Sequence, residues 1–183
     1  SLPKFEDKIG DPLSPYAVSK YTNELYAKVF GTTYGMKIIG LRYFNVFGPR
    51  QDPSGPYAAV IPIFIDKLKS QSPVYIDGDG EQTRDFTFVE NAVQANVRAM
   101  LCENEEAFNQ VYNIAYGENY SVNYLFNSIR EALGSEQDAI HRESRKGDVR
   151  NSLADISKAQ ALLGYKPLFS FKDGLPLTVE SYK

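Results

Sequence analysis

A capped helix followed directly by an apolar strand occupies the first 50 residues and limits the folds open to this chain. Ser14 suits an N-cap, and Pro15 suits the first helical position, where a missing N–H costs nothing. The run KIIGLRYFNVFG, closed by Gly48-Pro49, then predicts one continuous strand. Such an apolar strand is typical of a sheet covered by helices on both faces. Helix and strand together predict an α/β fold.

The rest of the chain alternates short helical and strand patterns. The segment PVYIDGDGEQTRDFTFV predicts two strands joined as a hairpin by the Asp-Gly-Asp-Gly turn, and QVYNIA predicts another strand. Helices are predicted up to Gly31 or Gly35, over IPIFIDKLKSQ, over VENAVQANVRAM, from Ser121 to Gly134, from Asp155 to Gly164, and over DGLPLTVESY.

Composition excludes several classes of protein. The chain has 20 basic and 23 acidic residues, a formal charge of -3, which leaves no excess to bind a nucleic acid. Its apolar runs are too short to cross a membrane, and the charged opening SLPKFEDKIG is no secretory signal. One cysteine, Cys102, and one histidine, His141, exclude an internal disulfide and a zinc cluster. We expect a cytoplasmic protein, with Cys102 a small core residue and His141 on the surface.

Tyr16 and Lys20 stand four residues apart on the first helix, so both side chains lie on one face. A phenol is a weak base at neutral pH, but a nearby ammonium favours the phenolate. Such a pair can exchange a proton with a substrate hydroxyl. Taken alone the spacing is weak evidence, because the chain has 13 tyrosines and chance pairs on helix surfaces are common.

Further motifs along the chain give the pair a context. The strand LRYFNVFGP follows it, then Arg84-Asp85-Phe86, and then the run GDVR at 147–150. With these motifs the sequence resembles the extended short-chain dehydrogenase/reductases, in their nucleotide-sugar branch. The opening LPKFEDKIGDPLSPYAVSKYTNELYA and the tail GDVRNSLADISKAQALLGY are most similar to bacterial UDP-N-acetylglucosamine 4-epimerases.

The resemblance implies an α/β fold made of the C-terminal portion of a Rossmann-type NAD-binding fold and the smaller substrate-binding domain. We expect residues 1–50 to end the NAD-binding domain. Residues 51–183 then form mainly the nucleotide-sugar domain, crossing back to the Rossmann sheet once or twice. The glycine-rich dinucleotide fingerprint is missing, and so is the upstream Ser/Thr partner of the tyrosine. We therefore expect a C-terminal half that is inactive by itself.

The resemblance also implies a mechanism and its residues. Tyr16 takes the proton of the sugar 4-hydroxyl while hydride passes from C4 to NAD, the 4-keto sugar turns over, and hydride returns to the opposite face. Lys20 also bonds the nicotinamide ribose, and Tyr43 and Val46 line the cofactor. The cofactor supplies the redox chemistry, while the protein supplies position and charge.

On the substrate side, the resemblance places Asn45, Arg84 and Arg145 at the diphosphate and Asp148 at the ribose. An amide donates to phosphate oxygens, and a guanidinium fork suits them better than an ammonium does. The shorter span between His141 and Arg145 makes the latter assignment weaker than that of Arg84. Residues implied near the sugar and uracil are Gln51, Ala59, Val60 and Tyr75, while Phe44 and Phe47 are expected to be plain packing.

Three functions stay open. The first is a UDP-hexose 4-epimerase acting on UDP-N-acetylglucosamine and UDP-N-acetylgalactosamine in polysaccharide biosynthesis, a homodimer through the helix 15–30. The small residues Ser54, Gly55 and Ala59 could leave room for the acetamido group. The second is a 4,6-dehydratase or decarboxylase of the same branch, whose deciding residues lie upstream of the tyrosine. The third is a non-catalytic UDP-sugar-binding module.

Overall fold

The computed structural model describes residues 2–54, 59–144 and 149–182 and confirms the α/β class. Within these ranges, no helix is long and apolar enough to cross a lipid bilayer. The helices are α1 (Pro15–Tyr34), α2 (Val60–Lys69), α3 (Val89–Met100), α4 (Val122–Leu133), α5 (Ser157–Leu163) and α6 (Phe171–Glu180), with a 3-10 turn at Glu105–Ala107. The strands are β1 (Ile39–Tyr43), β2 (Val46–Phe47), β3 (Tyr75–Asp77), β4 (Thr83–Arg84), β5 (Thr87–Phe88), β6 (Gln110–Ile114), β7 (Tyr120–Ser121) and β8 (Ile140–Arg142).

Helix α1 begins and ends as predicted. Ser14 Oγ accepts a hydrogen bond from the Ala17 N–H, and Gly35 ends the helix with φ at 65°. Two contacts hold the helix against the sheet. The Glu24 carboxylate pairs with the Arg42 guanidinium of β1 at 2.5 and 2.7 Å, and a Cβ at Gly31 would lie only 2.4 Å from Asn109 Oδ1. The helix therefore lies at a defined place beside β1.

The predicted continuous strand over 37–48 is wrong, because the chain breaks between β1 and β2. Asn45 adopts a left-handed φ of 30°, which asparagine tolerates better than most residues. The two strands then pair differently: β1 runs parallel to β6, and β2 runs parallel to β5. The Asn45 carbonyl accepts from the Thr87 N–H at 3.2 Å, so the break is itself bonded to the neighbouring segment.

The predicted hairpin over 73–89 is also wrong. The Asp-Gly-Asp-Gly turn is present, but β3 pairs in parallel with β8 and β4 pairs antiparallel with β7. Asp79 Oδ1 accepts from the Glu81 N–H, which tightens the turn. At Gly80, where φ is 76°, a Cβ would lie 2.0 Å from Asn123 Oδ1. The turn is thus packed against α4, and both strands find partners far along the chain.

Three predicted helices match closely and two are shifted. Helices α2, α3 and α4 follow the predicted segments, and α4 is capped by Ser121 and Gly134. Asp155, predicted as the cap of α5, accepts from the Ser157 N–H at its Oδ1 at 2.9 Å, but the helix begins at Ser157, one residue later than a cap at Asp155 implies. Helix α6 begins earlier than predicted, since Ser170 forms a capping box with Asp173.

Two hydrophobic clusters hold these elements. One is centred on Phe47, Phe88 and Phe171 and packs α2, α4 and α6 around β2 and β5. The other packs α3 and α5 on β6, with Tyr112 and Tyr165 almost completely buried. The prediction of Phe47 as core is confirmed, whereas Cys102 lies partly buried at the edge of the second cluster. His141 lies on the surface, as predicted.

Candidate functional site

An open cleft of about 900 Å³ runs between α1, β1 and residues 6–9, and we name it the α1 cleft. Tyr16, Lys20 and Tyr43, three of the predicted catalytic and cofactor-binding residues, line it. The structure thus brings together residues from the first helical turn and from the end of the first strand. The cleft is the candidate for the catalytic half of the site.

Tyr16 and Lys20 contact each other on one face of α1, as their spacing predicts. Lys20 Nζ lies 5.3 Å from the centre of the Tyr16 ring, and the tyrosine is 60% exposed to the cleft and solvent. This is the distance of a cation–π contact between an ammonium and the face of an aromatic ring. The Glu24–Arg42 ion pair, one turn beyond Lys20, fixes this part of α1 to β1. It also raises the pKa of the Arg42 guanidinium, mainly through the hydrogen bond to Glu24.

A second cavity, of about 580 Å³, lies beyond the end of β2, and we name it the β3 cavity. Its wall combines apolar side chains of α2 and β2 with polar side chains of β3, β4 and β8. The predicted substrate residues that line it are Asn45, Ala59, Val60, Tyr75 and Arg84. Val46, predicted to line the cofactor, lies on this cavity and not on the α1 cleft.

Asn45 lines both cavities, so the two meet at this residue. Its side-chain Nδ2 donates to the carbonyl of Asp85 at 3.1 Å, which supplies the partner that a polar amide in an apolar run requires. The left-handed backbone turn at Asn45 is what directs β1 toward one cavity and β2 toward the other.

Arg84 and Gln51 are held differently. Arg84 Nη1 donates to the carbonyls of Thr83, at 2.8 Å, and Arg150, at 3.4 Å, and the side chain lines the β3 cavity. Gln51 lies on neither cavity wall. Its Nε2 donates to the Val46 carbonyl at 3.2 Å, while its buried Oε1 has no hydrogen-bond partner within the described part of the chain.

Sequence reasoning did not single out Arg142, although it lines the β3 cavity. Its guanidinium lies 5.3 Å from the centre of the Tyr75 ring and pairs with Asp77. The parallel pairing of β3 with β8 places these three residues together. The only signal in the sequence was the short pattern Ile-His-Arg, which is too brief to predict a strand pairing.

Asp85 was also missed as a residue in its own right. Its carboxylate is completely buried, and burial raises its pKa to about 6 in spite of hydrogen bonds from three backbone N–H groups. It directly follows Arg84, so the motif Arg-Asp-Phe contains one cavity residue and one buried anchor. Two of the predicted substrate residues, Arg145 and Asp148, lie outside the described residues, as does Gly55.

Comparison with known proteins identifies the family. Residues 1–178 match the model of the GDP-mannose 4,6 dehydratase family. The chain belongs to this family. The predicted membership of the extended short-chain dehydrogenase/reductases is confirmed, and the family name by itself states no activity for this chain.

Solved structures share the fold closely. A UDP-glucose 4-epimerase from Thermotoga maritima, with UDP-glucose, is 40% identical with a TM-score of 0.91, over 100% of this chain and 58% of that one. A UDP-N-acetylglucosamine 4-epimerase from Methanobrevibacter ruminantium M1 is 41% identical with a TM-score of 0.91, over 99% of this chain and 57% of that one. A UDP-glucuronic acid 4-epimerase from Bacillus cereus, with UDP-glucuronic acid and NAD, is 32% identical with a TM-score of 0.90, over 99% of this chain and 56% of that one.

The chain spans about half the length of the curated relatives it matches. A UDP-glucose 4-epimerase of Mycolicibacterium smegmatis is 34% identical over 183 residues, which are 100% of this chain and 57% of that protein. The relatives also include a UDP-N-acetyl-alpha-D-glucosaminuronate decarboxylase of Bacillus cytotoxicus, 29% identical over 92% of this chain, and a dTDP-glucose 4,6-dehydratase of an Actinoplanes strain, 33% identical over 94%. The homologues are therefore mainly UDP-sugar 4-epimerases, which are isomerases, with dehydratase and decarboxylase relatives.

Proposed function

We propose that this chain is the C-terminal half of an NAD-dependent epimerase that inverts C4 of a UDP-hexose through a transient 4-keto sugar. The observation that carries the proposal is the place of Asn45, where the α1 cleft and the β3 cavity meet. When the nucleotide part of a UDP-sugar lies in the β3 cavity, its hexose extends past Asn45 toward Tyr16 and Lys20 in the α1 cleft. The epimerase names of the neighbours support the same reading.

The α1 cleft fits a nicotinamide cofactor. Lys20 offers an ammonium to the hydroxyls of a ribose, and Tyr43, held through its hydroxyl to Asn96 at 3.0 Å, forms an aromatic wall. NAD, when bound, would accept and return a hydride at C4 of the sugar. Tyr16 would hold or release the proton of the 4-hydroxyl, and the Lys20 ammonium would stabilise its phenolate form.

The β3 cavity fits the nucleotide end of the substrate. Arg84 supplies positive charge toward a diphosphate. Tyr75 and Arg142 stack at one end, where a flat ring suits a pyrimidine base. The earlier assignments of Asn45 to the diphosphate, and of Ala59 and Val60 to the neighbourhood of the sugar, remain part of this proposal. The assignments of Gln51 to the neighbourhood of the sugar and uracil, of Arg145 to the diphosphate and of Asp148 to the ribose also remain part of it.

The substrate pair that we propose is UDP-N-acetylglucosamine and UDP-N-acetylgalactosamine, in polysaccharide biosynthesis in the cytoplasm. Support comes from the small side chain of Ala59 on the cavity wall and from the Methanobrevibacter neighbour, whose name carries this sugar. The acetamido group needs space that a larger residue at this position would fill. Its test is the ratio of activities on acetylated and plain UDP-hexoses, and a preference for UDP-glucose would overturn this assignment.

A homodimer through α1 and a division of the chain near residue 50 belong to the same proposal. Tyr26, Val29 and Phe30 of α1 are exposed, which supports a partner surface on this helix. The parallel pairing of β1 with β6 supports a return of the later chain to the first part.

The test is epimerisation by the full-length protein and by two matched tyrosine variants on α1. Tyr16→Phe is expected to lower kcat at least a hundredfold, because it removes the group that exchanges the proton, while Tyr26→Phe, outside the cleft, keeps wild-type kcat. Equal activity of the two variants would refute the role of Tyr16. A product that has lost water, detected by mass spectrometry, would instead identify a 4,6-dehydratase, and loss of carbon dioxide a decarboxylase.

The 183-residue chain alone is expected to show no tight NAD binding and negligible turnover. The glycine-rich fingerprint for the dinucleotide is not in this sequence, and the α1 cleft is open on one side. Calorimetry with NAD and a coupled epimerase assay measure both properties. Turnover by the purified 183-residue chain would contradict the proposed division of labour.

A further inference from the structure

Asp85 is completely buried. Its carboxylate accepts hydrogen bonds from main-chain N–H groups of two other segments of the chain. Its Oδ1 accepts from the N–H groups of Tyr116 and Gly117 at 3.3 and 3.4 Å. Its Oδ2 accepts from the Ala154 N–H at 3.2 Å. Ala154 is buried, and leaving a buried donor unpaired costs about 1–3 kcal/mol. The carboxylate therefore ties three main-chain groups of two separate segments to residue 85.

The segments that Asp85 joins do not line either cavity. Tyr116 and Gly117 follow β6, and Ala154 forms a bridge with Lys4 near the start of the chain. The hydroxyl of the buried Tyr165 donates to the carbonyl of Ala115 at 2.8 Å, which holds the same stretch from the other side. Asp85 is thus bonded to chain that lies next to Ile114 and Tyr165 of the second hydrophobic cluster.

The main chain of Asp85 is bonded to Asn45, which lines both cavities. Its carbonyl accepts from Asn45 Nδ2 at 3.1 Å, and two residues later the Thr87 N–H donates to the Asn45 carbonyl at 3.2 Å. Arg84, which lines the β3 cavity, is its direct neighbour in the chain. The backbone of residues 84–87 therefore connects both polar side chains to one anchored carboxylate.

We propose that Asp85 is a positioning residue that sets the separation of Asn45 and Arg84, so that both meet the diphosphate of one bound nucleotide. The inference rests on the proposed function, which places these two side chains at the diphosphate. A shift of the anchor by a fraction of an ångström leaves each side chain in the cavity but spoils their joint geometry. The second phosphate of UDP should then add less to the binding affinity, so the affinities for UDP and UMP should lie closer together.

The experiment measures the affinity of the full-length protein for UDP and for UMP by calorimetry. Asp85→Asn keeps the shape of the side chain but turns an amide N–H₂ toward a backbone N–H. We expect this variant to lower the ratio of UDP affinity to UMP affinity about tenfold, with a similar fall in kcat. The affinity for UMP and the content of bound NAD should stay within about twofold of wild type.

Two buried positions supply matched controls. Asn91 is equally buried and also ties three main-chain groups, accepting from Leu168 and Phe169 N–H and donating to the Phe169 carbonyl. Asn91→Asp should lower thermal stability without changing the affinity ratio. Thr87→Val, in the same segment as Asp85, removes a buried hydroxyl and should leave the ratio unchanged. A ratio that is unchanged in Asp85→Asn, or that falls equally in Asn91→Asp, would show a merely structural role and overturn the proposal.

A second measurement needs no variant and covers the case in which Asp85→Asn does not fold. Hydrogen–deuterium exchange of the wild-type protein should show that UDP, but not UMP, slows exchange at residues 116, 117 and 154. Unchanged exchange there would overturn the proposal. Wild-type protein that binds UDP but does not epimerise would refute the proposed function and leave the affinity ratio to decide on Asp85. Protein that binds neither nucleotide would refute both.

Discussion

Gly174 of α6 packs closely against Phe88 of β5. A Cβ at this position would lie 2.4 Å from Phe88 Cδ2 and 2.6 Å from Cγ. The Phe88 ring is 3% exposed and packs on the rings of Phe47 and Phe169, with centres 5.6 and 5.4 Å away, so it has little room to move. Gly174→Ala therefore forces helix and strand apart.

The expected magnitude follows from two opposing effects. Overpacking a core by one methyl costs about 1–3 kcal/mol, and contact with carbons of a held ring favours the upper figure. Alanine is about 1 kcal/mol better than glycine in a helix interior. The net expectation for Gly174→Ala is a loss of about 2 kcal/mol in the free energy of unfolding.

Urea and thermal unfolding of the full-length protein measure this loss. Lys172→Ala, at an exposed position of α6, is the control and should stay within about 0.5 kcal/mol of wild type. The double variant Gly174→Ala/Phe88→Leu should be more stable than the sum of the single effects, by about 1 kcal/mol or more, because the smaller side chain relieves the overlap. A Gly174→Ala protein as stable as wild type, or more stable, would refute the reasoning and leave only the helix-propensity effect.

Three further results are expected. Ser170→Ala, which breaks the capping box of α6, should cost about 1 kcal/mol in urea unfolding, and an unchanged midpoint would contradict the cap. Glu24→Gln, which leaves the half-buried Arg42 cation without its carboxylate, should cost about 1–2 kcal/mol by the same measurement. Burial raises the pKa of Asp85 from 3.8 to about 6, so the folded state binds this proton more tightly, and the group lowers stability as pH rises from about 4 to 6. The stability of wild type relative to Asp85→Asn should then fall by up to about 3 kcal/mol over that window, and a difference independent of pH in unfolding titrations would exclude the effect.

Local signals predicted the helices well. Ser14 and Pro15 mark the start of α1, and Ser121 and Gly134 mark both ends of α4, because a cap bonds groups only a few residues away. That Tyr16 and Lys20 share a helix face could be predicted for the same reason, since residues four apart along a helix return to the same face.

Strand pairing could not be predicted, because partners lie far apart in the chain. The alternation around the Asp-Gly-Asp-Gly turn favours a hairpin, but β3 pairs with β8 more than 60 residues later. Arg142 enters the β3 cavity only through that pairing. Asp85 was missed for a related reason: its donors, Tyr116, Gly117 and Ala154, come from two distant segments.

The left-handed turn at Asn45 separates two ladders that a continuous strand would couple. The β1–β6 ladder ends at Tyr43 and Ile114, and the β2–β5 ladder begins at Val46 and Thr87. A slip of register in one ladder therefore stops at the turn and does not reverse the side chains of the other. Substitutions that reshape the wall of one cavity can accumulate downstream of Asn45 while the alignment of Tyr43 with the α1 cleft is preserved. Only the register is separated in this way, because Asp85 still ties the segment before β5 to the residues after β6.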